Sequence, residues 1–278
     1  MAQHLDLAAY LGRIGLADGA PAPDLATLRA IVGHHARAIA FENLDPFCRV
    51  PVALDVGSLQ AKLVHGQRGG WCFEQNLLLM HALDAIGFRA TGLAARVTWM
   101  RPPGTDLPLP PRGHMLVRVD LDEGPHLVDV GFGGLTLTGV LRLEADTEQD
   151  TPHEAFRIEA VGADEYDMAA RVRGTWATLY RFSLQPQLPT DYGVTNWYLS
   201  THPDSHFLHG IMVARADDGR RHALRNTTLT THHLAGGSDQ RTLTTLDELK
   251  GALRDLFLLA VPDTEAFDAA MGRVLAAG

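Results

Sequence analysis

Near residue 88 the apolar pattern of this chain changes its period, and that change limits the folds open to it. Before it, apolar residues recur at three- and four-residue spacing. Leu7, Leu11 and Ile14 mark one amphipathic helix, and Leu25, Leu28, Ile31, Val32 and His35 mark a second, started and capped by Pro23-Asp24. Gly15 to Pro23 reads as the loop between them, and Phe41 to Pro46, with no clear period, as a structured loop. A short helix around Leu59 and Leu63 leads to Arg68-Gly69-Gly70-Trp71-Cys72-Phe73-Glu74-Gln75-Asn76. Beyond it, Leu77, Leu78, Leu79, Met80, Leu83 and Ile86 predict a helix ending near Gly87, apolar almost all round and therefore central. Residues 1–88 read as a helical bundle.

From about Ala90 the period is that of strands. Ala95 to Met100 is one, followed by a proline-rich excursion, Pro102 to Pro111, too irregular for a regular element. Met115, Val117, Val119 and Leu121 then alternate with His114, Leu116, Arg118 and Asp120. An Asp122-Glu123-Gly124-Pro125 turn returns the chain through His126 to Val130, a β-hairpin. Runs at Leu137–Leu143, Phe156–Ala160, Val172 and Thr178–Leu184 extend this to an antiparallel sheet or small barrel over 89–190. Residues 191–278 mix types. A helix is expected over Asp191–Leu199, and a hairpin of Phe207–Ala214 with His222–Leu229 around Asp217-Asp218-Gly219. Thr245 and Glu248 form a capping box for a helix through Leu249, Leu253, Leu256 and Phe257, and Thr264–Leu275 is a final helix. The fold class is α+β.

A net charge of −9 with no Lys/Arg cluster argues against a nucleic-acid partner. Met1 to Gly19 shows no basic segment followed by an apolar one, and no window approaches membrane-spanning length. The expectation is a cytoplasmic protein with no membrane partner, in which Cys48 and Cys72 are reduced thiols. Gly69 and Gly70 permit a sharp turn that sets Cys72 at a helix N-terminus, where unsatisfied N–H groups and the helix dipole favour a thiolate. Read without that context, Cys72 is a small buried hydrophobe.

A cysteine nucleophile needs a base and the base an orienting group. Among 14 histidines, His114 is favoured because it opens a strand after the proline-rich loop, with Asp129 on the next strand. Symmetric pairing about Glu123-Gly124 would set the two roughly 13 Å apart along the strands, so a bulge or a different pairing is required. Gly131-Phe132-Gly133-Gly134 permits close approach to the backbone, or is simply a turn. Phe41 and Trp99 are read as pocket aromatics or as packing, and Arg68 and Glu42 as a pair bracing the cysteine loop or as separate surface charges. His202, His206 and His209 have metal-like spacing, but Pro203 and Asp204 break a helix there, and no metal is expected.

Arg68 to Asn76 resembles the arylamine N-acetyltransferase family, as do Phe41-Glu42-Asn43-Leu44, His114-Met115-Leu116 and Val128 to Gly134. Tyr10 to Gly15 and Asn196 to Pro203 fit as well, so the resemblance spans nearly the whole chain in order. It implies a Cys72–His114–Asp129 triad and a helical bundle, β-barrel and α/β lid (1–88, 89–190, 191–278) around a cysteine-protease-like core. It further implies acetyl-CoA as cosubstrate, met by Gly131, Gly133 and Trp99, and an arylamine or hydrazine acceptor beside Phe41 and Phe132. Gly113 departs from the family pattern, in which a hydroxyl residue often precedes the histidine, and removes a cofactor contact. The expected reaction is ping-pong acetyl transfer through a Cys72 thioester. The alternatives are a macrolactam-closing amide synthase of the same family, a thiol hydrolase, or a binding module without catalysis.

Overall fold

Helices form where the apolar spacing and the capping side chains coincide. The computed structural model describes residues 4–16, 21–102 and 108–277. Helices α1 (Leu7–Arg13) and α2 (Leu25–Ala38) each start at an aspartate that accepts a first-turn N–H: Asp6 from Ala9 at 2.9 Å, Asp24 from Thr27 at 2.8 Å. Parts of the Gly15–Pro23 and Pro102–Pro111 links lie outside the described residues. The Phe41–Pro46 stretch is not a loop: it supplies strand β1 (Phe41–Glu42) and helix α3 (Leu44–Phe47). Each spans only about one period of its element, too few residues for a pattern to show. Helix α4 (Val56–Leu59) runs into a π-helical turn, Gln60–His65.

Helix α5 (Cys72–Ile86) is buried on every side from Cys72 to Leu79 and ends at Gly87, whose φ of 103° takes the left-handed cap. Leu78, Leu79 and Leu83 are fully buried, each stabilising the fold by about 1.5–3 kcal/mol. Among the described residues no helix is long and apolar enough to cross a membrane.

The following strands are β2 (Arg89–Val97), β3 (His114–Leu121), β4 (Gly124–Val128), β5 (Leu141–Arg142), β6 (Glu148–Gln149), β7 (Phe156–Ala160), β8 (Glu165–Val172) and β9 (Thr175–Ser183). They form one antiparallel sheet in the order β5-β4-β3-β2-β9-β8-β7-β6. It curls into a nearly closed barrel filled by Leu93, Leu116, Leu127, Ile158, Leu179 and Phe182. At the seam the Gln149 side chain imitates a strand: its Oε1 accepts the Arg142 N–H at 2.7 Å and its Nε2 donates to Arg142 O at 2.9 Å. On β3, Met115, Val117, Val119 and Leu121 join the core around α5, while Leu116 faces the barrel interior. Alternation thus fastens the barrel to the central helix.

Two strand expectations change their bounds. The strand read through Met100 stops at Val97, because the Thr98 and Trp99 N–H groups both turn to Leu179 O and Met100 has φ 61°. Of Leu137–Leu143 only Leu141–Arg142 is strand, since the Leu137 N–H closes a loop onto Asp129 O.

The remaining elements are α6 (Pro189–Thr201), a 3₁₀ turn (His206–Leu208), β10 (Met212–Asp217), β11 (Arg220–Arg225), β12 (Thr228–His233), β13 (Ser238–Thr242), α7 (Leu246–Asp255) and α8 (Glu265–Ala277). The single strand read from His222 to Leu229 is two, split at Asn226, whose φ is 51°. This second sheet has the order β1-β10-β11-β12-β13, and Leu249 and Leu253 of α7, Phe257 of the turn after it and Met271 of α8 pack with Leu224 and Leu229.

Candidate active site

Cys72 owes its position to the loop that precedes it. A Cβ on Gly69 would stand 2.1 Å from Ala40 O, and one on Gly70 2.7 Å from a Glu74 carboxylate oxygen, so only glycine fits either place. Glu74, in the first turn of α5, accepts the Trp71 N–H at 3.0 Å, and its other oxygen takes Lys62 Nζ at 2.8 Å. The Trp71 indole N–H donates to Asn196 Oδ1 at 3.1 Å, fixing the loop to α6.

Arg68 and Glu42 do pair. Arg68 Nε and Nη2 reach Glu42 Oε1 at 2.9 and 2.7 Å, and Nη2 also reaches Asp45 Oδ1 at 2.9 Å, while Lys62 holds Asp45 Oδ2 at 2.7 Å. Burial raises the Glu74 carboxyl to about 6 against the opposing pull of Lys62. In so dry a cluster, removing one partner strands a charge at about 3–5 kcal/mol.

The hairpin register resolves the distance between His114 and Asp129. Leu121 pairs with Gly124 and Val117 with Val128, so the turn is Asp122-Glu123, earlier than symmetry about Glu123-Gly124 would have it. Continued one step, that register sets Asp129 opposite Leu116, on the same face as His114 and only about 7 Å along the strand. His114 Nε2 and Asp129 Oδ2 meet at 2.6 Å, both residues almost wholly buried. No bulge is needed.

Burial alone would depress the His114 imidazole. The charge and hydrogen bond of Asp129, joined by the Cys72 side chain, push it up to about 10. Burial likewise raises the Asp129 carboxyl, but the His114 charge, with hydrogen bonds from His114, Asn76 and the Gly131 N–H, holds it below its ordinary value. The Cys72 thiol lies 3.8 Å from Gly113 O, next to His114 in the chain.

Several residues around Cys72, His114 and Asp129 carried no role in the sequence reading. Asn76 donates to Asp129 Oδ1 at 3.1 Å and to Met115 O at 2.8 Å, and accepts the Val130 N–H at 3.1 Å. Its spacing from Cys72, four residues on one helix face, was the available signal. Tyr180 sits 4.9 Å from His114 and 5.1 Å from Phe132 between ring centroids. Burial, then the charge and hydrogen bond of Asp129, raise its phenol. Phe207 packs edge-on to Trp71 at 5.2 Å and 6.4 Å from Phe41. Neither Tyr180 nor Phe207 differs in sequence from a packing aromatic.

Phe132 meets His114 edge-on at 5.2 Å. Phe41 lies across from Gly133, where a Cβ would stand 3.5 Å from its ring. A Cβ on Gly131 would stand 2.6 Å from Cys72 Cα and 3.0 Å from Cys72 O, so Gly131 is a packing requirement of the Cys72 backbone. Gly134 is exposed, with no atom within 4 Å of where a Cβ would be, leaving backbone open beside Phe132. Trp99 stands 36% exposed on the turn after β2. Among the described residues no group of His, Cys, Asp and Glu could hold a metal ion. His202 stacks on Tyr198 and His209 bonds to Pro203 O, so the two do not face one centre.

A cysteine at the start of a buried helix, set against a histidine and an aspartate from a barrel, defines the class of enzymes with a cysteine-protease-like catalytic core. Comparison with known proteins narrows that class. Residues 24–266 match the N-acetyltransferase family profile. The chain is 49% identical over 231 residues to the arylamine N-acetyltransferase of Mycolicibacterium smegmatis, covering 82% of each chain. It is 37% identical over 257 residues to that of Escherichia coli, covering 92% of this chain and 89% of the relative. The Mycobacterium marinum arylamine N-acetyltransferase solved in complex with CoA superposes with a TM-score of 0.91 at 40% identity, over 97% of this chain and 99% of that one. The chain belongs to the arylamine N-acetyltransferase family, and its reaction class is acyl transfer.

Proposed function

We propose that the chain acetylates arylamines and hydrazines from acetyl-CoA in two half-reactions, with Cys72 as nucleophile, His114 as base and acid, and Asp129 as its orienting partner. The observation that carries this reading is the 2.6 Å His114–Asp129 bond beside a helix-opening cysteine. Acetyl-CoA is a substrate, and its thioester supplies the acetyl group. The Cys72 thiolate attacks the carbonyl carbon. The negative oxygen meets the Cys72 N–H, which at the first position of α5 has no partner within the helix. The C–S bond to CoA breaks, and CoA leaves with the proton from His114.

In the second half-reaction the neutral amine attacks the Cys72 thioester while His114 takes its proton, a role worth about 10²–10⁴ in rate. The C–S bond breaks, restoring the thiolate and releasing the amide. Asp129 keeps its charge throughout and stabilises the imidazolium. Phe41 and Phe132 form the acceptor wall, and Gly133 with Trp99 contacts the cosubstrate. The three-part division fits these roles, with 1–88 carrying the nucleophile, 89–190 the base, and 191–278 covering the site.

Steady-state kinetics test the scheme. Varying an arylamine at several fixed acetyl-CoA concentrations should give parallel double-reciprocal lines, the pattern of a covalent intermediate formed before the amine binds. Intersecting lines would require both substrates bound together and exclude the thioester route.

A further inference from the structure

A buried polar junction lies where three segments meet: the Asp129–Thr138 stretch below the site, the Thr151–Glu154 turn before β7, and the β10–β11 hairpin of the second sheet. At its centre Arg221, on β11, is 3% exposed. Its Nε reaches the Glu154 oxygens at 2.9 and 3.1 Å, and its Nη2 reaches Glu154 Oε2 at 2.5 Å. The same Nη2 donates to Thr136 O at 3.0 Å. Thr136 is clipped in turn to Gly133: its hydroxyl accepts the Gly133 N–H at 3.0 Å, and its own N–H donates to Gly133 O at 3.1 Å.

The two ends of the Asp129–Thr138 stretch are held by different bodies. At the Asp129 end, Asn76 of α5 binds the carboxylate and Gly131 packs on Cys72. The Thr136 end is gripped from the second sheet through one guanidinium. Phe132 and Gly133 stand between the two anchors. A planar fork holds a carboxylate edge and a carbonyl in fixed directions, whereas an ammonium binds as a point charge without that geometry. One nitrogen of that fork, Nη1, is buried with no hydrogen-bond partner among the described residues.

We infer that Arg221, braced by Glu154, is a specificity-determining positioning residue: through Thr136 it sets where the Phe132-Gly133 backbone stands and so which acceptor amines fit. The inference rests on the acceptor-wall reading given above. The chemical step of the donor half-reaction depends on the other anchor, at Asn76 and Cys72, whereas acetyl-CoA affinity, through Gly133, moves with Arg221 as well.

The test uses the intact enzyme with Arg221→Gln, Arg221→Lys and Glu154→Gln, and Phe132→Ala as reference. Single-turnover CoA release at saturating acetyl-CoA reads the chemical step of the first half-reaction, and KM for aniline and for a bulky biphenyl amine reads the second. Arg221→Gln and Glu154→Gln should raise amine KM about five- to twentyfold and alter the ratio between the two amines, with CoA release within about twofold. Arg221→Lys, which keeps the charge but loses the fork, should fall between these and the unaltered protein. If Arg221→Gln does not fold, Arg221→Lys and Glu154→Gln decide by the same readouts. Unchanged amine KM and ratio in the folded variants, or equal loss in both half-reactions, overturns the inference. If Phe132→Ala itself leaves KM and ratio unaltered, the acceptor-wall reading falls and takes the inference with it. If Phe132→Ala shifts them and the Arg221 variants do not, the inference alone falls.

Discussion

Asn76 stands four residues beyond Cys72 on α5, and its side-chain amide donates to Asp129 at 3.1 Å. One helix therefore carries the Cys72 sulfur and orients the carboxylate that His114 binds. Asn76→Ala would strand the Met115 carbonyl and the Val130 N–H in the core, destabilising the fold by about 1–3 kcal/mol for each group left bare. It should also slow CoA release in the first half-reaction about ten- to a hundredfold, since each tenfold corresponds to about 1.4 kcal/mol. Denaturant unfolding and single-turnover kinetics measure the two effects.

The elevated imidazole of His114 depends on Asp129. With Asp129→Asn the opposing charge is gone, burial prevails, and the imidazole should fall from about 10 by well over one unit. Histidine NMR titration reads that shift. Iodoacetamide alkylation of Cys72 at neutral pH should slow at least about tenfold as the imidazolium partner is lost. An imidazole that still titrates near its elevated value would mean that Asp129 is not its source.

Gly131→Ala tests the contact between the hairpin end and the nucleophile. The added methyl would stand 2.6 Å from Cys72 Cα and 3.0 Å from its carbonyl oxygen, both backbone atoms of a buried helix. A cost of about 1–3 kcal/mol is expected from overpacking, with loss of transfer exceeding the loss of stability because the sulfur itself is displaced. Thermal unfolding beside amide formation separates the two.

The fold's acid limit should be set in part by His35. It is wholly buried between the Tyr10 hydroxyl at 2.8 Å and Gln75 Oε1 at 3.2 Å, and burial depresses it to about 3. Below its ordinary value of 6.5 the unfolded chain binds a proton that the folded one refuses, so stability falls as pH drops from 6.5 towards 3. The slope is about 1.4 kcal/mol per pH unit. Glu74, raised from 4.5 to about 6, works in the opposite sense over that narrower range. His114, raised to about 10, contributes stability that is complete below 6.5 and lost as pH climbs to 10. His35→Gln removes only the first of these. The difference between variant and unaltered protein in urea should grow as the pH rises from 3 and level off above 6.5.

What the sequence discloses and what it hides divides by range. The start of α5, its Gly87 stop, the Asp24 cap and the Thr245–Glu248 box are local, and each is legible from a few neighbouring residues. The His114–Asp129 partnership is not, because a turn beginning at Asp122 rather than one residue later changes the offset from about 13 to about 7 Å. Phe41–Glu42 shows no strand character alone and becomes one by pairing with Ala214 and Val213, far along the chain. Tyr180 and Phe207 reach the site by the same long-range route, and a lone aromatic in a strand or turn carries no mark of such a destination. The family resemblance supplied the Cys72–His114–Asp129 reading before register could, and the hairpin register accounts for the contact between His114 and Asp129.

Mass spectrometry of the protein mixed with acetyl-CoA and no amine addresses the thioester itself. The expected outcome is one CoA released per chain, one acetyl group gained on the peptide containing Cys72, and loss of that group when an arylamine is added. An unmodified Cys72 peptide, or CoA release that continues for many turnovers without an amine, would show that the acyl group does not rest on this cysteine awaiting its acceptor.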